Sequence, residues 1–138
     1  MIERIYPPGI AAPRGPYSPA VRAGDFIYVS GQVPVDPATN QAVVGDIKTE
    51  TRQVLNNIRR ILEGCGSSMA DVVRCGVFLT DVKDFAAMNE VYTEFFGEIK
   101  PARTTVSVPA LPLAGAKIEI DAVAYQPRPV DAIAQQPE

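Results

Sequence analysis

Two stretches of this 138-residue chain carry a helical period, and each has a single apolar stripe. In "DIKTETRQVLNNIRRILEGCG", Val54, Leu55, Ile58, Ile61 and Leu62 fall at i, i+1, i+4, i+7 and i+8. Asp46 stands where an N-cap belongs, and Gly64 or Gly66 where such a helix stops. In "DFAAMNEVYTEFFG" the stripe is Phe85, Met88, Tyr92, Phe95 and Phe96, an aromatic run that reads as core. Strand patterns surround the helices: "GDFIYVSGQVPV", "VVRCGVFLT", residues 104–108 and residues 117–126. Two helices with one stripe each can cover one face of a sheet and leave the other bare. The chain therefore predicts an α+β domain whose uncovered sheet face must meet something else.

Composition narrows the chemistry. Hydrophobic residues make up 46% and charged residues 21%, with a formal net charge of −3, so a general nucleic-acid binder with a basic stripe is disfavoured. Histidine is absent, which removes histidine-based triads and leaves acid–base work to carboxylates, water or shifted Lys, Cys or Tyr groups. Cys65 and Cys75 have no metal-ligand spacing and read as small core residues. No apolar run is long enough for a membrane span, and "MIERIYPPGI" lacks an apolar signal region, which predicts a cytoplasmic location. "YPPGIAAPRGPYSP" is a long Pro/Gly loop, and residues 127–138 read as a loose tail after a domain at 1–126.

The strand faces carry the polar groups. Phe26, Tyr28 and Ser30 share one face of their strand, with Ile27 and Val29 on the other. Val72 and Phe78 fall on one side of the next strand, with Val73, Cys75, Val77 and Leu79 opposite. Ile118, Ile120, Ala122 and Ala124 oppose Lys117, Glu119, Asp121, Val123 and Tyr125. In "KPARTTVSVP", Arg103, Thr105 and Ser107 alternate with Thr104, Val106 and Val108. Alternation alone leaves the Arg103 face open to either solvent or a site. The short "LPLAGA" connection predicts that the strands of Arg103 and Glu119 pair as a hairpin, which raises the question of whether the two residues converge in a cleft on the mixed face. A sheet apolar on one face and mixed on the other predicts a homo-oligomer.

"GPYSPAV", "DFIYVSGQVPVDPATN", "PARTTVSVPALP" and "KIEIDAVA" occur in this order across residues 1–126, and the chain resembles the RidA/YjgF family of reactive-intermediate deaminases, also labelled endoribonuclease L-PSP-like. The resemblance implies a six-stranded mixed sheet with two helices on one face, related to chorismate mutase, and a homotrimer with a site in each intersubunit cleft. It implies hydrolysis of 2-imino acids, such as 2-iminobutanoate and 2-iminopropanoate, to 2-oxo acids and ammonia. Arg103 would clamp the substrate carboxylate with its planar fork, and Glu119 would hold the attacking water. Tyr17, Ser30, Gly31 and Thr105 would line the cleft, with Asn89 in support. The imine is already electrophilic, so the resemblance implies neither metal nor cofactor.

The chain departs from the family pattern at several positions. Thr105 stands where many bacterial members have cysteine, Thr104 replaces Ser or Ala, Pro109 replaces a small or basic residue, and the "LPLAGAK" loop is one residue longer. These changes bear on the side-chain preference of the pocket rather than on the reaction. Within the same fold the alternatives are a non-catalytic ligand-binding or regulatory trimer, a 2-aminomuconate-type deaminase and a ribonuclease.

Overall fold

A computed structural model describes residues 1–128. The strands are β1 (Ile2–Ile5), β2 (Ala20–Ala23), β3 (Phe26–Gln32), β4 (Val35–Asp36), β5 (Gln41–Ala42), β6 (Val72–Leu79), β7 (Ala102–Ser107) and β8 (Ile118–Tyr125). The helices are α1 (Ile47–Gly64) and α2 (Phe85–Phe96). Six strands form one sheet in the order β1-β2-β3-β8-β6-β7, and β4 pairs with β5 as a small separate ribbon. Every pairing in the large sheet is antiparallel except that of β6 with β7, so the sheet is mixed.

The helix starts and stops follow the side chains. Asp46 caps α1 by accepting from the Thr49 amide at 2.9 Å and the Thr49 hydroxyl at 3.0 Å. Gly66, with φ +78, turns the chain out of the helix in the left-handed region that favours glycine. The stripe Val54, Leu55, Ile58, Ile61 and Leu62 is buried, as the period predicts, and packs with Ile27, Val29, Cys75, Val77, Leu79, Ile118 and Ile120 of the sheet. From α2, Met88, Val91, Tyr92 and Phe96 complete this core. The aromatic stripe differs from expectation at its ends. Phe95 is half-buried under Arg59, and Phe85 is 42% exposed because it lies at the first turn, beyond the sheet's central strands. Cys75 is buried, but Cys65 is half-buried just after α1.

A buried glutamate that the sequence pattern did not single out ties the layers together. Glu50 is fully buried in α1 and accepts from the Gly45 amide (3.1 Å), the Lys117 amide (2.7 Å) and the Lys117 ammonium (3.3 Å). It thereby joins the entry of α1 to the start of β8. Asn57 does the same for the β3–β4 connection, donating to the Val35 carbonyl at 2.8 Å. Both satisfy backbone groups that would otherwise be buried without partners.

Two strand expectations are corrected. The strands of Arg103 and Glu119 do not form a hairpin. The chain leaves β6, crosses through α2 and returns as β7 parallel to β6, so β6 occupies the position between β7 and β8. The "LPLAGA" segment therefore spans the end of β6, held by bonds from the Val108 amide to Leu79 and from the Thr80 amide to Lys117. Val72 and Val73 exchange faces relative to simple alternation, because a register shift between Val72 and Arg74 inserts one residue. Val72 is buried and Val73 is 43% exposed. The short strands β1 and β2 had no strand pattern of their own. The tail expected over 127–138 lies, beyond Arg128, outside the described residues.

Candidate functional site

Register decides which side of the sheet each polar residue faces. Arg103 pairs with Cys75 and Thr105 with Val77, and those two β6 residues form the floor of the helix-covered core. Arg103, Thr105 and Ser107 therefore point to the helix side, at the edge strand, and not to the uncovered face on which they were expected. Glu119 pairs with Phe78, on the opposite side. The physical cause is the parallel β6–β7 pairing just described. Arg103 and Glu119 are separated by two strand spacings of about 4.8 Å and three residues at about 3.3 Å, or roughly 14 Å between backbones, and their side chains diverge. They do not meet within one chain.

On the uncovered face, Glu119 lies against Gly31. A register shift between Val29 and Gln32 places Gly31 beside β8, and a Cβ built on Gly31 would lie 2.3 Å from Glu119 Oε2. The absence of a side chain at Gly31 is what lets the carboxylate lie against the backbone. The Ser30 hydroxyl donates to the Ser18 carbonyl at 2.6 Å and the Ser30 amide to Pro19 at 3.0 Å, which folds the long N-terminal loop back onto β3. That fold-back brings Tyr17 to the rim of a small pocket it shares with Arg14, Pro19, Gly31 and Gln32. The Tyr17 hydroxyl accepts from the Arg14 amide at 3.1 Å. Burial raises the Glu119 pKa above the usual carboxylate range, and the neighbouring Asp121 charge adds to the rise. Asp121 has its own glycine cradle, accepting from the Gly76 amide at 2.8 Å.

On the helix side, Arg103 sits between aromatic rings. Its guanidinium carbon lies 4.7 Å from the Tyr92 ring centroid and 5.6 Å from that of Phe85. Phe85, Asn89 and Tyr92 follow one another at i, i+4 and i+7 along α2, so the half-buried Asn89 belongs to the same group. Among the described residues, Arg103 has no carboxylate partner and no hydrogen bond from its guanidinium. The Thr105 hydroxyl is likewise buried with no hydrogen-bond partner among them. Lys117, a possible partner for Glu119, is taken by Glu50. Burial pushes the Cys75 thiol up to about 11 and raises the neighbouring Tyr92 hydroxyl, so both stay neutral near pH 7. The sequence stripe marked Phe85 and Tyr92 as core. Their role beside Arg103 had one available signal, the helical spacing they share with Asn89.

The uncovered face also carries Phe26, Tyr28, Tyr125 and Val106, each about two-fifths to half exposed. Fold and geometry together define a small α+β protein with a mixed sheet covered on one face and two polar clusters, one around Arg103 and one around Glu119, on opposite sides of that sheet. The sequence model described as Endoribonuclease L-PSP matches residues 9–126. A RutC family protein of Pyrococcus horikoshii is 52% identical over 126 residues, covering 91% of this chain and 99% of the relative. A goat protein named 2-iminobutanoate/2-iminopropanoate deaminase is 45% identical over 112 residues, 81% of each chain. Among solved structures, RidA from an Antarctic Psychrobacter superposes with a TM-score of 0.84 at 41% identity, covering 89% of this chain and 98% of that one. The chain belongs to the RidA/YjgF family. No helix among the described residues is long and apolar enough to cross a membrane.

Proposed function

We propose that the protein is a hydrolytic deaminase that converts 2-imino acids to 2-oxo acids and ammonia, at a site composed from two copies of the chain. The observation that carries this reading is the pair of incomplete half-sites. One face holds a guanidinium unpaired among the described residues and steadied by two rings, and the other holds a carboxylate of raised pKa seated on glycine. The name of the goat relative supports the same reaction class. A solved relative, TdcF of Escherichia coli, is described with bound serine, an amino acid whose carboxylate is the group Arg103 is suited to bind here.

The chemistry follows from the two groups. The substrate carboxylate forms paired hydrogen bonds to the Arg103 fork, which orients the adjacent C=N carbon. Glu119 of a second copy accepts a proton from water as the water oxygen bonds to that carbon and the C=N electron pair moves to nitrogen. That proton passes to nitrogen to give a carbinolamine, its hydroxyl proton then moves through the Glu119 carboxylate to the same nitrogen, and the C–N bond breaks as the oxygen's electron pair forms the C=O, releasing ammonia and the 2-oxo acid. Tyr17, Ser30 and the Gly31 backbone belong to the Glu119 side, and Thr105 and Asn89 to the Arg103 side. The exposed apolar residues of the uncovered face are the surface through which copies would join, and a trimer is the assembly we assign.

The test is semicarbazide trapping of the imine released by a threonine or serine dehydratase. Added protein should reduce trapping, and Arg103→Ala should abolish the effect with its fold unchanged. Undiminished trapping with the wild type would leave ligand binding without turnover as the better reading. A ribonuclease reading would require an RNA-cleaving activity that is lost in Arg103→Ala.

A further inference from the structure

Beyond Arg103 the same side of the sheet opens into a groove that the proposed reaction does not use. Its floor is Leu79, its walls are Val82, Phe85 and Thr105, and it runs along the edge strand β7 from Thr105 to Ser107. The cavity is about 230 Å³, with room for several non-hydrogen atoms. Val82 is 68% exposed and Phe85 42%, although Leu79 beneath them is fully buried, so the groove has an apolar lining that the core leaves unfilled. The local sequence builds it this way. Asp81 caps a short turn at Val82–Asp84 by accepting from the Lys83 amide at 2.9 Å, which lifts Val82 above the sheet edge just before Phe85 begins α2.

Phe85 belongs to both features, as a wall of the groove and as one of the two rings beside Arg103. Thr105 is the next residue after Arg103 on this face, about 6.6 Å further along the strand, and its buried hydroxyl has no partner among the described residues. A carboxylate held by Arg103 thus places the rest of its molecule at the mouth of an apolar trough. We infer that this groove receives the substrate's side chain and selects 2-imino acids with an apolar side chain of about four carbons over those with a methyl group. The inference deepens the reading above and rests on Arg103 as the carboxylate clamp. Burying three further carbons sets a ceiling of about fiftyfold in affinity. An open groove should realise at least about tenfold of it.

Calorimetry with 2-oxo acids tests the groove without requiring turnover, and imine trapping is run beside it. The wild type should bind 4-methyl-2-oxopentanoate at least about tenfold more tightly than pyruvate. Val82→Asp, at an exposed position that the fold tolerates, should bring that ratio close to one. Arg103→Ala should lose both ligands. Equal affinities in the wild type, or an unchanged ratio in Val82→Asp, overturn the inference. So does a Val82→Asp protein that sediments as a smaller species with its ratio intact, since the groove is then a contact between copies. Imine hydrolysis without side-chain discrimination removes the groove and leaves the deaminase reading standing. Discrimination without hydrolysis does the reverse. Binding of neither 2-oxo acid together with undiminished imine trapping removes both.

Discussion

Gly31→Ala separates the position of the Glu119 carboxylate from its presence. A methyl group at Gly31 would lie 2.3 Å from Glu119 Oε2, whereas ordinary contact begins at 3.4 Å, so the carboxylate must retreat by about 1 Å. The displaced atom is the end of a flexible side chain, so the stability cost should stay below about 1 kcal/mol. Catalysis is far more sensitive, because a displacement of about 1 Å in a reacting group costs on the order of a hundredfold, or about 2.7 kcal/mol of barrier. The assay is kcat/KM for dehydratase-generated imine by semicarbazide competition, alongside urea denaturation of the same samples. Gly31→Ala should lose about a hundredfold in kcat/KM with a nearly unchanged denaturation midpoint. Gly76→Ala is the matched control, since its methyl would meet Asp121 Oδ1 at 2.6 Å rather than Glu119. It should lose much less activity. If Gly31→Ala stays within about threefold of wild type while Glu119→Gln is inactive, the carboxylate's position is immaterial and the water-holding role assigned to Glu119 is wrong.

The other predictions concern assembly, pH and the fold. Arg103→Ala and Glu119→Gln should each be inactive alone, yet unfolding and refolding an equimolar mixture should restore about one quarter of wild-type activity, because that share of mixed contacts pairs an intact Arg103 with an intact Glu119; no recovery would place both groups in one chain's site. The raised Glu119 pKa means that its carboxylate forms above the usual range, so the acid limb of kcat/KM should lie above about pH 4.5 and move down in Asp121→Asn, which removes the neighbouring charge. The same shift gives stability that is full below the ordinary Glu pKa and lost as pH rises through the raised one, and Glu119→Gln should flatten that slope in urea melts at several pH values. Glu50→Ala leaves the Gly45 and Lys117 amides without their buried acceptor and should cost about 3 kcal/mol or more in denaturant unfolding. Cys75, with its thiol pushed up to about 11 by burial, should resist iodoacetamide at pH 7.5 until the protein unfolds.

The two helices were legible because eighteen and twelve residues of consistent period outweigh local noise, and their caps are local chemistry. The alternation of β8 and of the first half of β3 was legible for the same reason, since one face of β8 is buried throughout and Ile27 and Val29 are buried in β3 before its register shifts. What periodicity could not supply was the neighbour of each strand. Thr104–Val106 alternates identically whether β7 pairs with β8 or with β6, yet the choice reverses which side of the sheet Arg103 looks toward. The inserted residue at Val73 is invisible for a related reason, because both valines suit either face. Four-residue strands such as Ile2–Ile5 alternate Ile, Glu, Arg and Ile without one apolar side. The site residues Arg103 and Glu119 were named from the motifs around them, and the rings that hold Arg103 were concealed within a stripe that also builds the core.

The reversal at Arg103 alters what assembly is for. Had both groups faced the uncovered side, one chain would hold a complete site and association would merely cover apolar surface. With Arg103 against Tyr92 and Phe85 on one side of the sheet and Glu119 against Gly31 on the other, neither half can reach the other through the strands between them. On the proposed reading, joining copies through the uncovered face supplies each Arg103 with the carboxylate its own chain withholds. That arrangement also keeps the two charges apart in a lone chain. An arginine and a glutamate free to pair with each other would satisfy themselves and compete with the substrate's carboxylate for the same fork. Separation across the sheet leaves Arg103 unpaired among the described residues and leaves Glu119 with a raised proton affinity. Those are the states that binding an anionic substrate and taking a proton from water require.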